Sequence, residues 1–278
     1  RILVQRFDEP LGSPGLETRV EIVDNPIWLP NMLETAIASA TSRRMGYEAG
    51  GTVSLKARIY TKEHTVAFED LISAPAPLRL PAFAARDVAT TASILLRNEL
   101  AQAQIQGIEV MVRLSPQVKL RELERIVAPS TARPGEKITV QAILRPYRQE
   151  PITVDLQITV PMDAEGEFEL YVGGGVELDQ KDGHARGRRT PRQLEDLMAL
   201  LSSRRPAQAL YARIYQPQAG LTQNMALMSA LPASQRAILL ATSAPGLEAA
   251  SLHPGPEVKV PMPDVVAGSR SVTIRVIR

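Results

Sequence analysis

The sequence predicts an α+β, mainly β protein in two domains. An N-terminal antiparallel sheet with two covering helices spans 1–117, and an immunoglobulin-like β-sandwich with a helical insertion spans 118–278. Three observations carry this. Residues 134–160, PGEKITVQAILRPYRQEPITVDLQITV, hold two runs of strict period-two alternation, the pattern of paired, half-buried strands. Two stretches of helical periodicity fall between strand-like runs before residue 117. Beyond it, about seven short alternating runs recur between glycine- and proline-rich turns, as in a sandwich.

In the first domain, Arg1-Ile2-Leu3-Val4 is already strand-like, so the chain is expected to begin mid-domain as a processed or trimmed fragment. Residues 16–23 (LETRVEIV) alternate up to Asp24-Asn25-Pro26. Leu29, Leu33, Ala36, Ile37 and Ala40 then fall at helical spacing, with Pro30 tolerable only in the first turn. Arg43 and Arg44 suit the negative end of that helix dipole, and Gly46 suits its C-cap. Residues 52–72 predict a hairpin through the polar turn Thr61-Lys62-Glu63-His64. Pro81 opens a second helix over about 82–103, and Ile108, Val110, Val112 and Leu114 mark another strand.

In the second domain, Val118 and Leu120 begin a strand whose phase slips near Glu122-Leu123, which predicts a bulge or a crossing between sheets. The hairpin follows: Ile138, Val140, Ala142 and Leu144 share one face, as do Ile152, Val154, Leu156, Ile158 and Val160. Phe168, Leu170 and Val172 alternate into Gly173-Gly174-Gly175, and residues 177–189 are polar enough to predict a mobile loop. Thr190-Pro191-Arg192-Gln193 forms a capping box with proline at the first helical position, for an inserted helix at about 190–203. Residues 208–215 predict a strand ending at Pro217, residues 234–241 a short helix, and alternation at 258–262 and 272–276 the closing strands.

Composition narrows the chemistry. A net charge of +2 over 278 residues and 4% aromatic content disfavour a polyanion-tracking surface, so no nucleic-acid partner is expected. There is no cysteine, hence no disulfide, thiolate metal site or cysteine nucleophile. No stretch of eighteen or more apolar residues predicts a membrane span. His64, His184 and His253 are scattered without metal-ligand spacing, so no metal or other cofactor is expected. No serine sits in a nucleophile elbow, and Ser13 and Ser73 have turn-forming neighbours. The triple glycine lacks the spacing of phosphate-binding loops. Two basic groups remain as partner-binding candidates: Arg145, Tyr147 and Arg148 at the hairpin corner, and Lys181, Arg186, Arg188 and Arg189 in the polar run. For each the plainer alternative is structural, a sandwich corner and a solvated loop.

Several segments in order resemble a known family: Pro134-Gly135-Glu136, Ile143-Leu144-Arg145-Pro146-Tyr147-Arg148, Glu150-Pro151-Ile152-Thr153, Thr190-Pro191-Arg192-Gln193-Leu194 and Leu210-Tyr211-Ala212-Arg213-Ile214-Tyr215. Together they resemble the C-terminal region of large bacterial proteins with an N-terminal SpoIVB-type serine peptidase domain. The first domain is similar to the segment upstream there, through Asn25-Pro26 and Gly51-Thr52-Val53. That family's peptidase domain uses a serine in a glycine-rich segment, served by a histidine, and this sequence has no counterpart, so no catalytic residue carries over. The resemblance implies an extracytoplasmic, envelope-associated protein, with this chain a non-catalytic structural or interaction module that self-associates or binds protein partners. Two alternatives stand beside it: a substrate-positioning region of an active serine peptidase, and a binding module for an envelope protein or surface glycan.

Overall fold

The computed structural model describes residues 1–8, 16–22, 25–42, 50–75, 80–101, 103–185, 191, 193–223, 226–228, 232–241 and 247–277. The chain forms two compact units, Arg1–Leu120 with Gln193–Pro206, and Arg121–Arg192 with Ala207–Arg278. It is mixed α+β, with several sheets and, among the described residues, five helices.

The first unit contains β1 (Ile2–Asp8), β2 (Leu16–Val20), α1 (Leu29–Ser42), β3 (Gly51–Thr61), β4 (Thr65–Ala74), α2 (Leu80–Leu96) and β5 (Ile105–Ser115). Its sheet runs β2-β1-β5-β3-β4. The expected hairpin is β3–β4, in regular register from Gly51 opposite Ala74 to Tyr60 opposite Thr65. The sequence predicted a wholly antiparallel sheet, and the structure corrects this: β1 and β5 are parallel, from Ile2 opposite Ile108 to Asp8 opposite Leu114. The crossovers explain the difference. Helix α2 carries the chain back to the starting end of the sheet, so β5 runs in the direction of β4 with β3 antiparallel between them. Helix α1 does the same from β2 to β3, and β1, antiparallel to β2, therefore runs along β5.

The helices are where periodicity places them, and side-chain caps set their ends. Asn25 accepts through Oδ1 from the Ile27 and Trp28 amides at 2.9 and 3.3 Å, turning the chain into α1. Helix α2 stops at Leu96, short of the expected 103. Asn98 donates to the Leu95 carbonyl at 2.5 Å and accepts from the Leu100 and Ala101 amides at 3.0 Å each, which closes the helix. Leu33 and Ile37 of α1, and Val88, Ala92 and Leu95 of α2, bury against Val53, Leu55, Ile59, Val110 and Val112 in one core. Arg43, Arg44 and Gly46 lie outside the described residues.

The second unit begins with β6 (Leu120–Val127), β7 (Thr131–Ala132), β8 (Lys137–Pro146), β9 (Ile152–Thr159) and β10 (Glu167–Gly173). The predicted bulge is present: the β6–β8 register shifts between Leu123 and Arg125. Gly135 has φ of 76°, and the Glu136 amide donates to the Arg133 carbonyl at 3.1 Å, which makes the expected turn. Strands β8 and β9 pair without interruption from Lys137 opposite Thr159 to Leu144 opposite Ile152.

The next segment corrects the sequence reading. Of residues 177–189, expected to be a mobile loop, those up to Ala185 belong to helix α3 (Gly175–Ala185), which begins at the last of the three glycines. Helix α4 (Leu194–Ser202) comes next, and it belongs to the first unit, not to the second domain into which it is inserted in sequence. Leu197, Met198 and Leu201 bury in the first unit's core. Arg204 just beyond it donates to both Asp87 carboxylate oxygens (2.6 and 2.5 Å) and to Thr91 (2.8 Å), and lies 4.3 Å from the Phe68 ring centre. The boundary expected at 117 falls at Leu120. The helix starts later than the sequence placed it, at Leu194, with Gln193 an extended N-cap residue without a side-chain cap bond. Glu195 and Asp196 in the first turn complement the helix dipole instead. Thr190 and Arg192 lie outside the described residues.

The chain then completes the second unit with β11 (Ala209–Gln223), β12 (Ala226–Met228), α5 (Ala233–Ala241), β13 (Leu247–Pro261), β14 (Val265–Ala267) and β15 (Ser269–Val276). Strand β11 continues past Pro217, where the sequence predicted its end. A register shift against β13 between Pro217 and Gly220 absorbs the missing amide donor. One sheet has six strands, β12-β11-β10-β15-β7 with β13 also on β11, and the other has four, β14-β6-β8-β9. Inward side chains of both, among them Val140, Leu144, Leu156, Phe168, Leu170 and Ile214, form one buried core.

Candidate functional site

Strand β11 has two contrasting faces. Leu210, Ala212 and Ile214 point into the core between the sheets, while Tyr211, Arg213 and Tyr215 point the other way. That second face would be solvent-facing in a bare sheet, yet Arg213 is only 8% exposed and Tyr215 fully buried. Helix α3 covers it: Leu178 packs with Ala209, Tyr211 and Tyr215 in a small second core, joined by Tyr171 and Leu252.

The polar ends of these side chains interlock. Asp182 of α3 accepts from Arg213 Nη1 and from the Tyr215 hydroxyl, both at 2.6 Å. Arg213 Nη1 also donates to Glu257 of β13 at 2.9 Å. Beside Asp182 on the same helix, Lys181 donates to both carboxylate oxygens of Glu169 on β10, at 3.0 and 2.8 Å. The Lys181 ammonium lies 5.5 Å from the Tyr171 ring centre and 5.4 Å from that of Tyr215, and the two rings meet edge to face at 6.3 Å. Burial, with help from the Glu177 and Glu169 charges, raises the Tyr171 phenol above its ordinary pKa, against a lowering hydrogen bond with Ser269. The phenol therefore stays neutral at physiological pH.

The start of α3 is equally occupied. Glu177 accepts from the Gly268 amide at 2.6 Å, so a carboxylate of the protein fills the anion-favouring helix N-terminus. A Cβ on Gly174 would lie 2.2 Å from the Val266 carbonyl oxygen, so only glycine permits this approach. A phosphate-cradling role for the triple glycine does not fit this arrangement.

The partner-binding candidates divide. Lys181 is a member of the α3 network and is ion-paired. Arg186, Arg188 and Arg189 lie outside the described residues. At the β8–β9 corner the Arg145 guanidinium donates to Glu124 of the neighbouring β6. Tyr147 and Arg148 form the tip of a turn closed by the Gln149 amide on the Pro146 carbonyl, with Arg148 at φ of 56°. The Arg148 guanidinium stacks 5.0 Å from the Tyr147 ring centre, and Arg148 is exposed. The corner thus presents two exposed arginines, Arg145 paired with Glu124 and Arg148 stacked on Tyr147.

His64 in the β3–β4 turn lies 3.3 Å from Glu195 of α4, and His253 is on β13 of the second unit. Among the described residues no group of acidic or histidine side chains is arranged to hold a metal. A groove of about 420 Å³ lies at the Ile2 end of the first sheet, lined by Arg1, Arg19, Glu21, Tyr60 and Glu109 among others. Its polar groups are already paired, Arg1 with Glu21 at 3.1 Å and the Tyr60 hydroxyl with Glu109 at 2.7 Å.

The α3 network was not singled out in the sequence, although a signal for it exists. In QALYARIY the positions opposite the core are Tyr, Arg and Tyr, and two tyrosine rings on one face of a strand carry a large apolar area that gains from a cover. Comparison of the chain with protein-family models, with curated proteins and with solved structures returned no match.

Proposed function

We propose that this chain is a non-catalytic structural and interaction module of an exported bacterial protein of the SpoIVB-type peptidase-like kind, working outside the cytoplasm. In this reading the second unit is an immunoglobulin-like sandwich that presents strand edges and corners to protein partners. The supporting observation is the α3 network. Asp182, Arg213, Glu257, Lys181 and Glu169 spend their charges on one another, which pins a helix over a sheet and suits a scaffold. A reactive acid, base or nucleophile would need a free electron pair or proton facing a cavity.

The test is fractionation of the native source cells, combined with a peptidase assay of the purified chain on fluorogenic casein. The protein should appear outside the cytoplasm, and the chain should leave the substrate intact. Cytoplasmic residence, or hydrolysis that copurifies with the chain, overturns the proposal.

A further inference from the structure

The edge strands of the two units are protected unequally. Strand β2 is five residues long and carries Glu17 and Arg19. Helix α4 packs on β4, while β7, β12 and β14 are only two or three residues long. Strand β13 has Pro254 and Pro256 and register shifts along its length. Short length, charge, proline, bulges and covering helices are the usual means of blunting an edge. Strand β9 has fewer of them: it carries one charge, Asp155, and β13 approaches it without pairing among the described residues.

It runs eight residues, ITVDLQIT, at the end of the order β14-β6-β8-β9 and in unbroken register with β8. It contains no proline, glycine, lysine or arginine, and its outer row of backbone groups has no strand partner among the described residues. Its side chains alternate between buried or half-buried Ile152, Val154, Leu156 and Ile158 and exposed Thr153, Asp155, Gln157 and Thr159.

We propose that β9 pairs antiparallel with β9 of a second copy of this chain about a twofold axis at Leu156, joining two four-stranded sheets into one of eight. Register decides the occupant. A shift by one residue would set the apolar row against the polar row, so only even offsets keep both faces matched. An axis at Asp155 would oppose two carboxylates. With the axis at Leu156, Leu156 faces itself, Val154 faces Ile158, Asp155 faces Gln157 and Thr153 faces Thr159. Each exposed carboxylate then meets an amide donor, each threonine a threonine, and each apolar residue an apolar one, the pairs that stabilise antiparallel ladders. The contact is self-complementary, as a twofold dimer requires.

This inference rests on the reading of the chain as an interaction module and names its partner, but its test is independent of location and of hydrolysis. Sedimentation equilibrium is run on the whole chain and on Gln157→Asp and Gln157→Lys, both at an exposed position. Circular dichroism melting curves that coincide with the parent establish that each variant folds. The parent should be a dimer. Gln157→Asp places two aspartates opposite each other twice per dimer and should raise the dissociation constant about tenfold or more. Gln157→Lys places an ion pair at the same two positions and should lower it. A monomeric parent, or a dimer whose affinity does not move in opposite directions with the two charges, overturns the pairing.

Discussion

Replacing Asp182 by alanine is the most direct test of how the second unit is held together. The carboxylate is 6% exposed and accepts two hydrogen bonds of 2.6 Å, from Arg213 and from Tyr215. Losing a charge-assisted bond costs about 1.5–3 kcal/mol, and the Tyr215 hydroxyl, left buried without this acceptor, costs about 1–3 kcal/mol more. Arg213 keeps Glu257 at 2.9 Å, so its charge is not stranded and the total falls at the low end, about 3 kcal/mol. The assay is urea unfolding followed by far-UV circular dichroism, with hydrogen exchange over residues 175–185. Tryptophan fluorescence is unsuitable because Trp28, the single tryptophan, belongs to the first unit. Helix α3 should exchange faster than the core strands β8 and β10. Combining Asp182→Leu, Arg213→Leu and Tyr215→Phe in one variant should recover most of the loss, since apolar packing avoids the desolvation of buried charge. A loss below about 1 kcal/mol for Asp182→Ala, or unchanged exchange in α3, would refute the view that this network fastens the helix.

Other substitutions probe the same geometry elsewhere. Gly174→Ala should destabilise the second unit by about 2 kcal/mol or more, because its Cβ would press on the Val266 backbone carbonyl. Gly183→Ala, within α3 and with open space around the added carbon, should stabilise by about 0.5–1 kcal/mol; thermal melts of the two variants separate them by sign. Asp70 has its pKa raised above the ordinary 3.8, first by burial and then by the Asp87 charge. Its contribution to stability is therefore intact below the unfolded-state value and lost as pH rises through the folded one. Asp70→Asn should be the more stable protein at pH 7, with the difference shrinking toward pH 4 in paired urea titrations. Arg204→Met removes the bidentate bond to Asp87 and the stacking on Phe68. Arg204 and Asp87 are both partly exposed, so the expected cost is about 1–2 kcal/mol, read as faster hydrogen exchange in α4, and Arg204→Lys should retain less than half of the lost stability.

What the sequence by itself determined is what neighbouring residues decide. Period-two alternation over 138–144 and 152–160 sets both the strands and their inward faces, because a strand's side-chain period needs no partner to be expressed. The phase slip at Glu122-Leu123 announces the bulge for the same reason, and the stripes through Leu33 and Ile37 and through Val88, Ala92 and Leu95 announce α1 and α2. Tertiary structure decided the rest. The polar run after Gly175 becomes a helix because Lys181 and Asp182 find Glu169, Arg213 and Tyr215, the last two more than thirty residues away along the chain. Strand β1 takes its direction from β5, about a hundred residues later, once the helical crossovers return the chain to the same end of the sheet. Helix α4 joins the first unit because its Leu197, Met198 and Leu201 stripe and Arg204 fit β4 and α2. Each of these depends on burying side chains that are distant in sequence, and local periodicity carries no record of which distant surface will cover them.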